Sequence, residues 1–173
     1  MVKKVHLTLA IADYPHTAAL LDGSIEIEGV DAEFVRVTPQ IAAFRRMVRQ
    51  VEFDVCELAP TTYIIARAYG APFVALPIFV FRKFHHGGLL VRPDSGISHP
   101  RDLEGKKVGV RTYAQTTGLW VRGVLQHEYG VDLDKVTWMT IEDAHLAEYS
   151  EPANCQRLPA GSKLAQMMFD GEI

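Results

Sequence analysis

Residues 53–70 read FDVCELAPTTYIIARAYG, and this stretch decides the fold class. Phe53–Leu58 is a short, largely apolar run of strand length. Pro60 stands where a first helical residue has no need of its N–H, and Gly70 can take the left-handed conformation that ends a helix. A strand that is apolar on both faces and passes within two residues into a helix is half of a βαβ unit, in a sheet covered on both sides.

The neighbouring sequence repeats this order. Val5–Ile11 reads as a first strand, followed by a turn in which Pro15 starts a short helix through Leu21. Asp31–Val37 alternates as a second strand. Thr38 is placed as an N-cap and Pro39 as the first position of a helix to Gln50, with Ile41, Phe44, Met47 and Val48 on one face. Phe73–Val80 reads as a further buried strand. The alternation of strand and helix predicts an α/β fold with doubly wound, mixed sheets. Gly87 and Gly88 lead into a strand ending at Pro93, where the chain is expected to cross between lobes, giving 1–92 and 93–173. In the second lobe, Ser98–Leu103 forms a capped turn, Gly105–Val110 a turn and strand, Thr117–Tyr129 a helix and Val136–Met139 a strand. A polar stretch over Glu142–Gly161 then precedes a helix over Ser162–Phe169. A doubly wound lobe calls for another strand after that helix, so the C-terminal part is expected to be missing.

Of the 173 residues, 48% are hydrophobic and 23% charged, the balance of a globular chain with a sizeable core. With 18 Lys and Arg against 21 Asp and Glu, the net charge is -3. The basic residues are scattered, which argues against nucleic acid as a partner. His6, Thr8 and Asp13 interrupt the N-terminal apolar run, so it does not read as a signal peptide, and no apolar segment has the length of a membrane span. A cytoplasmic location is the default expectation. Cys56 and Cys155 lie in no metal-ligand spacing and read as reduced thiols. No P-loop, dinucleotide fingerprint or HExxH occurs, so no organic cofactor is evident. A divalent metal held by dispersed ligands stays open.

Ligands of open α/β sheets bind outside the carboxyl ends of the strands, where loops and helix N-termini converge. Asp13 and Tyr14 follow the first strand, and Glu57, Thr61 and Thr62 the third. Arg82, His85 and His86 follow the fourth, and Arg111, Tyr113, Thr116 and Thr117 the strand of the second lobe. Thr116 and Thr117 read either as an N-cap or as an anion site of hydroxyls and free N–H groups. Arg82 is either a carboxylate clamp or a structural ion-pair partner. Glu57 is either a general acid or base or a cap for the helix at Pro60. Of the two adjacent histidines one is expected to enter a cleft, and His86 is favoured as a proton donor. Asp13 and Tyr14 are turn formers or ligand contacts.

These residues sit within LTLAIADYPHTAALLDGSIEIEGVD, FRRMVRQVEFDVCELAPTTYIIARAYG, FVALPIFVFRKFHHGGLLVR and DLEGKKVGVRTYAQTTGLWVRGVLQHEYGVD. In that order they resemble the 4,5-dihydroxyphthalate decarboxylases and related substrate-binding-like proteins. The chain departs from them after the first strand, with ADYPHT where members carry a GDYDRT-like sequence. The resemblance implies a two-lobed fold of the type 2 periplasmic-binding-protein kind in a chain nearly twice this length. It implies non-oxidative decarboxylation of an aromatic dicarboxylate to 3,4-dihydroxybenzoate, with a small aromatic carboxylate as ligand. In that setting Arg82, Thr116 and Thr117 would hold carboxylates, Glu57 would take a phenolic proton and His86 would protonate the ring carbon. Tyr113 and Trp120 would flank the ring. The rival expectation is a small-anion binding protein without chemistry, and a third is a ligand-sensing or biosynthetic member of the same superfamily. The apolar surface of an incomplete lobe would also suit a homo-oligomer.

Overall fold

The computed structural model describes residues 3–173, and the chain divides into two compact units, Met1–Val80 and Phe81–Ile173. Each is built on its own three-stranded parallel sheet.

In the first unit, β1 (Val5–Ala10) lies between β2 (Val30–Phe34) and β3 (Val55–Cys56). It pairs with β2 from Val5↔Val30 to Leu9↔Phe34, and with β3 at Leu9↔Val55 and Ala10↔Cys56. Parallel partners require a crossover. Helix α1 (Ala18–Leu21) lies on the first and α2 (Ile41–Gln50) on the second, while α3 (Pro60–Ala68) follows β3. Val5 is exposed at the start of β1, whereas Leu9 and Ala10 are buried at its end. The core therefore gathers near the carboxyl edge, where Ala10, Ala43, Met47 and Phe53 pack with Val35, Val37, Cys56 and Phe73. Helix α3 opens on Pro60 and is followed by Gly70 at φ +85°, the left-handed conformation expected of it.

Several expectations are corrected here. Pro15 and Pro39 precede helices rather than open them: α1 begins behind Thr17 and α2 behind Gln40, and Thr38–Pro39 is a cis peptide. The strand read over 53–58 shortens to Val55–Cys56, because Phe53 turns into the core. The buried strand read over Phe73–Val80 is neither buried nor a strand. Val74, Leu76, Ile78 and Phe79 are 57–75% exposed, and the segment pairs with no described strand. Apolar, β-prone composition gives a tendency to extend, but only a partner supplies the ladder. The strand read before Pro93 is likewise absent.

In the second unit, β5 (Thr137–Thr140) lies between β4 (Lys107–Val110) and β6 (Cys155–Arg157). Register runs from Lys107↔Thr137 to Val110↔Thr140, and from Trp138↔Cys155 to Thr140↔Arg157. Helix α4 (Thr116–His127) crosses from β4 to β5, while α5 (Leu164–Asp170) lies against β4. Gly109 makes that approach feasible, since a Cβ there would lie 2.5 Å from Ile173 Cδ1 and 3.0 Å from Leu164 Cδ2. The core comprises Leu103, Val121, Leu125, Val131, Val136 and Trp138. The turn at Pro100–Leu103 is a 3-10 helix closed by a reciprocal cap: His99 accepts from the Arg101 N–H, and Asp102 accepts from the His99 N–H at 2.8 Å. Residues 81–92 belong to this unit by contact. The Thr117 methyl lies where a Cβ on Gly88 would be, and Arg92 donates to the Phe169 carbonyl at 3.2 Å. A lobe boundary at 92–93 stands as a proposal about the whole protein.

Val51 closes α2 at φ 50°, ψ 46°. A β-branched residue in the left-handed region costs about 1–2 kcal/mol, and glycine gives back about 0.5–1 of that as unfolded-chain entropy. Val51→Gly is therefore expected to stabilise the first unit by roughly 0.5–1 kcal/mol, and Val51→Ala, which keeps the strain, to give no such gain. Urea unfolding of the full-length protein measures both.

Candidate functional site

In the first unit, the loops leaving β1 and β3 meet at Glu57. Its carboxylate accepts from the Tyr14 hydroxyl at 2.7 Å and from the Ala12 N–H at 3.2 Å. The Glu57 N–H donates to the Ala10 carbonyl at 2.9 Å, so this side chain projects from the continuation of the sheet. Thr17, which is buried, ties the turn together: its hydroxyl donates to the Ala12 carbonyl at 2.8 Å and accepts from the Tyr14 N–H at 2.9 Å. Burial, with Glu57 next in weight, pushes the Tyr14 phenol up to about 12, so at neutral pH it is a hydrogen-bond donor. His16 stacks on the Tyr14 ring at 5.3 Å, and Asp13 makes an ion pair of 3.7 Å with Arg36. The cap of α3 is Ala59, with no side-chain bond. Glu57 therefore does not cap that helix, while Thr61 and Thr62 are buried in its first turn. Burial raises Cys56 to about 12 and Cys155 to about 11, which leaves neither as a thiolate at neutral pH.

In the second unit, Arg111 and Thr112 leave β4 beside the ends of β5 and β6. The Arg111 carbonyl accepts from Ile141 and Glu142, and its guanidinium makes an ion pair of 3.7 Å with Glu142. Helix α4 then starts at Thr116 behind Gln115, with no side-chain cap. The expectation that Thr116 or Thr117 serves as the cap is corrected: the hydroxyl of Thr116, like that of Thr112, is buried and meets no hydrogen-bond partner. The first turn of α4 thus has no side-chain cap, and the N–H groups of an uncapped first turn are the arrangement that receives anions. Glu151 lies beside it, accepting from Thr140 at 3.1 Å, from Arg157 at 3.4 Å and, at 3.5 Å, from the Tyr113 N–H.

The two histidines lie at a 3-10 turn, His86–Gly88, not on a strand, so the alternating-face argument does not apply to them. His85 stacks on Trp120 with planes 3° apart and is half-buried; its Nδ1 meets no partner, and burial, followed by Lys83 and His86, pushes its pKa down. His86 is exposed, as is Arg82. Tyr113 packs against Trp138 and under Arg122. A hollow of about 440 Å³ runs along α4, lined by Tyr113, Trp120, Arg122, His127 and Leu133 among others. Among the described residues no group of three or more His, Cys, Asp or Glu is placed to hold a metal, and no helix is long and apolar enough to cross a membrane.

The sequence reading missed Thr112, Arg122, Thr140, Glu151 and Arg157. Thr140 ends a strand it had recognised and was within reach of the same strand-end rule. Glu151 precedes and Arg157 ends β6, a strand of three residues inside a polar stretch with no apolar period. Arg122 was hidden by the apolar face of α4.

Two parallel α/β units with polar loops at the strand ends suit ligand-binding proteins, and comparison defines the class. The model for the ABC transporter phosphonate periplasmic substrate-binding protein family matches residues 15–150, and the chain belongs to that family. Its particular relatives are decarboxylases by name. It is 33% identical over 186 residues to a 4,5-dihydroxyphthalate decarboxylase of Comamonas testosteroni, an alignment covering 99% of this chain and 54% of that protein. It is 36% identical over 140 residues to the 4,5-dihydroxyphthalate decarboxylase of Pseudomonas putida, covering 80% and 54%. The resemblance read from the sequence motifs holds, and the chain spans about half the length of the curated relatives it matches.

The Tyr14–Glu57 pair yields a test of sign. A phenol whose pKa is raised on folding adds stability that is complete below the ordinary value of 10.0 and is lost as pH rises through about 12. The phenolate absorbance missing from Tyr14→Phe is expected to rise near pH 12 in the parent protein. In Glu57→Gln that step moves toward 10.0 without reaching it, because burial, the larger cause, persists.

Proposed function

We propose that the full-length protein is a non-oxidative decarboxylase that converts 4,5-dihydroxyphthalate to 3,4-dihydroxybenzoate. One observation carries the reading: the first turn of α4 has no side-chain cap and follows directly on the loop that carries Arg111 and Tyr113, a guanidinium and an aromatic ring, which suits a ligand with a carboxylate on an aromatic ring. The names of the two relatives support the same substrate.

The chemistry assigns a task to each group. Thr116, Thr117, Arg82 and Arg111 hold carboxylates. The proton of the hydroxyl para to the departing carboxylate goes to a base, the role proposed for Glu57, whose carboxylate Tyr14 holds in place. The phenolate electron pair moves into the ring, and the carboxyl-bearing carbon takes a proton from His86. The bond to the carboxyl group then breaks, its electrons restore the aromatic ring, and carbon dioxide leaves. Glu57 returns its proton to the phenolate and His86 is recharged from solvent, so the net reaction consumes one proton. Tyr113, Trp120 and His85 lie along the ring. In this reading the protein acts in the cytoplasm, with no organic cofactor evident and a divalent metal left open.

The family model favours a second reading, a binding protein that holds the same anion without chemistry. The discriminating measurement is carbon dioxide release and 3,4-dihydroxybenzoate formation by the full-length protein. Turnover is expected, and saturable binding without turnover would move the assignment to the second reading. His86→Ala is expected to lower kcat by about 10²–10⁴, the range for loss of a general acid, with little change in KM. Undiminished turnover by that variant would remove His86 from the mechanism.

A further inference from the structure

Arg122 is a cation in the core of the second unit. It lies on α4 with 4% of its surface exposed, and among the described residues no carboxylate makes an ion pair with it. Nη2 donates to the Tyr113 carbonyl at 2.7 Å, and the guanidinium carbon lies 3.6 Å from the centre of the Tyr113 ring and 5.4 Å from that of Trp138. The remaining terminal nitrogen, Nη1, is buried with no hydrogen-bond partner. It lies against the first turn of α4, 3.2 Å from where a Cβ on Gly118 would be. Of the acids beside this loop, Glu142 pairs with Arg111 at 3.7 Å, and Glu151 is engaged by Thr140, Arg157 and the Tyr113 N–H. A buried charge is costly unless something balances it, and a buried donor left without a partner calls for an explanation. Two aromatic faces and one carbonyl offset part of that cost but leave the charge itself standing.

We infer that Arg122 is a positioning residue for anion binding at the first turn of α4: it fixes the loop from Arg111 to Gln115 through Tyr113, and its positive charge is balanced by the anion that arrives there. The inference rests on the reading of that turn as the carboxylate site. Arg122 does not reach the ligand through Nη1, which is sealed from solvent. It acts through the loop backbone and through its charge, which is screened little at a buried position. A lone cation at this place raises the affinity for an anion, whereas a buried ion pair would have cancelled the field.

The test uses the full-length protein with phthalate as the probe, titrated by calorimetry. Arg122→Gln retains a donor for the Tyr113 carbonyl and loses the charge; Arg122→Met fills similar space without either; Arg122→Lys keeps the charge. Both neutral variants are expected to bind phthalate about tenfold or more weakly, the worth of a charge-assisted interaction, while Lys stays within about threefold. Using two neutral variants separates a folding defect, read by circular dichroism, from loss of charge. A folded neutral variant that binds phthalate as the parent does overturns the inference, as does a lysine variant as weak as the neutral ones. Thr117→Glu tests the underlying reading separately. It places a carboxylate on the first turn and is expected to abolish phthalate binding; binding at parental affinity would overturn the site itself.

Discussion

Parallel pairing governs what each unit can do. When β1 pairs with β2 and β3 in the same direction, all three strands end at one edge, and every connection must return across the sheet before the next strand begins. The loops after Ala10 and Cys56 therefore come together at Glu57, and the second sheet does the same for the loops after Val110, Thr140 and Arg157. The core is densest under that same edge in the first unit, where Leu9 and Ala10 are buried. The candidate side chains of the first unit are thus carried at the end of the sheet where its core gathers.

The two edges are electrically different. At the first, an acid is held by a phenol and a backbone N–H, and the phenol is kept protonated by its burial and by that acid. Such a pair is suited to moving or holding a proton. At the second, the uncapped first turn of α4 and the buried Arg122 guanidinium supply positive charge, while Arg111 is paired with Glu142 and Glu151 is taken up by Thr140 and Arg157. The net charge of -3 for the whole chain conceals this contrast, because the residues that create it are few and locally placed.

Much of the first edge was legible in the sequence. Strand ends can be read from short apolar runs bounded by turn residues, so Asp13, Tyr14, Glu57, Thr61 and Thr62 fell out of position alone. What sequence could not supply was the partner of each group: that Glu57 meets Tyr14 depends on β1 and β3 being neighbours, a fact of pairing order. The segment from Phe73 to Val80 failed for the same reason in reverse. Its composition matches a buried strand, yet pairing is non-local, and no described strand pairs with it. β6 failed because three residues carry too little period to rise above a polar background.

Arg122 marks the limit of pattern reading most clearly. It stands three residues from both Leu119 and Leu125 and so on their face of α4, yet an arginine in a helix ordinarily turns to solvent. Its burial follows from Tyr113 and Trp138, residues from the preceding loop and from β5, which give a flat cation two flat faces. Methionine or leucine could fill that volume without the desolvation cost, and replacing a buried charge by apolar side chains is often neutral or stabilising. Packing alone therefore gives no reason for a guanidinium at this position. A reason exists once an anion is placed at the first turn of α4, because the cost of burying the cation is then recovered in the ligand-bound state rather than in the free one.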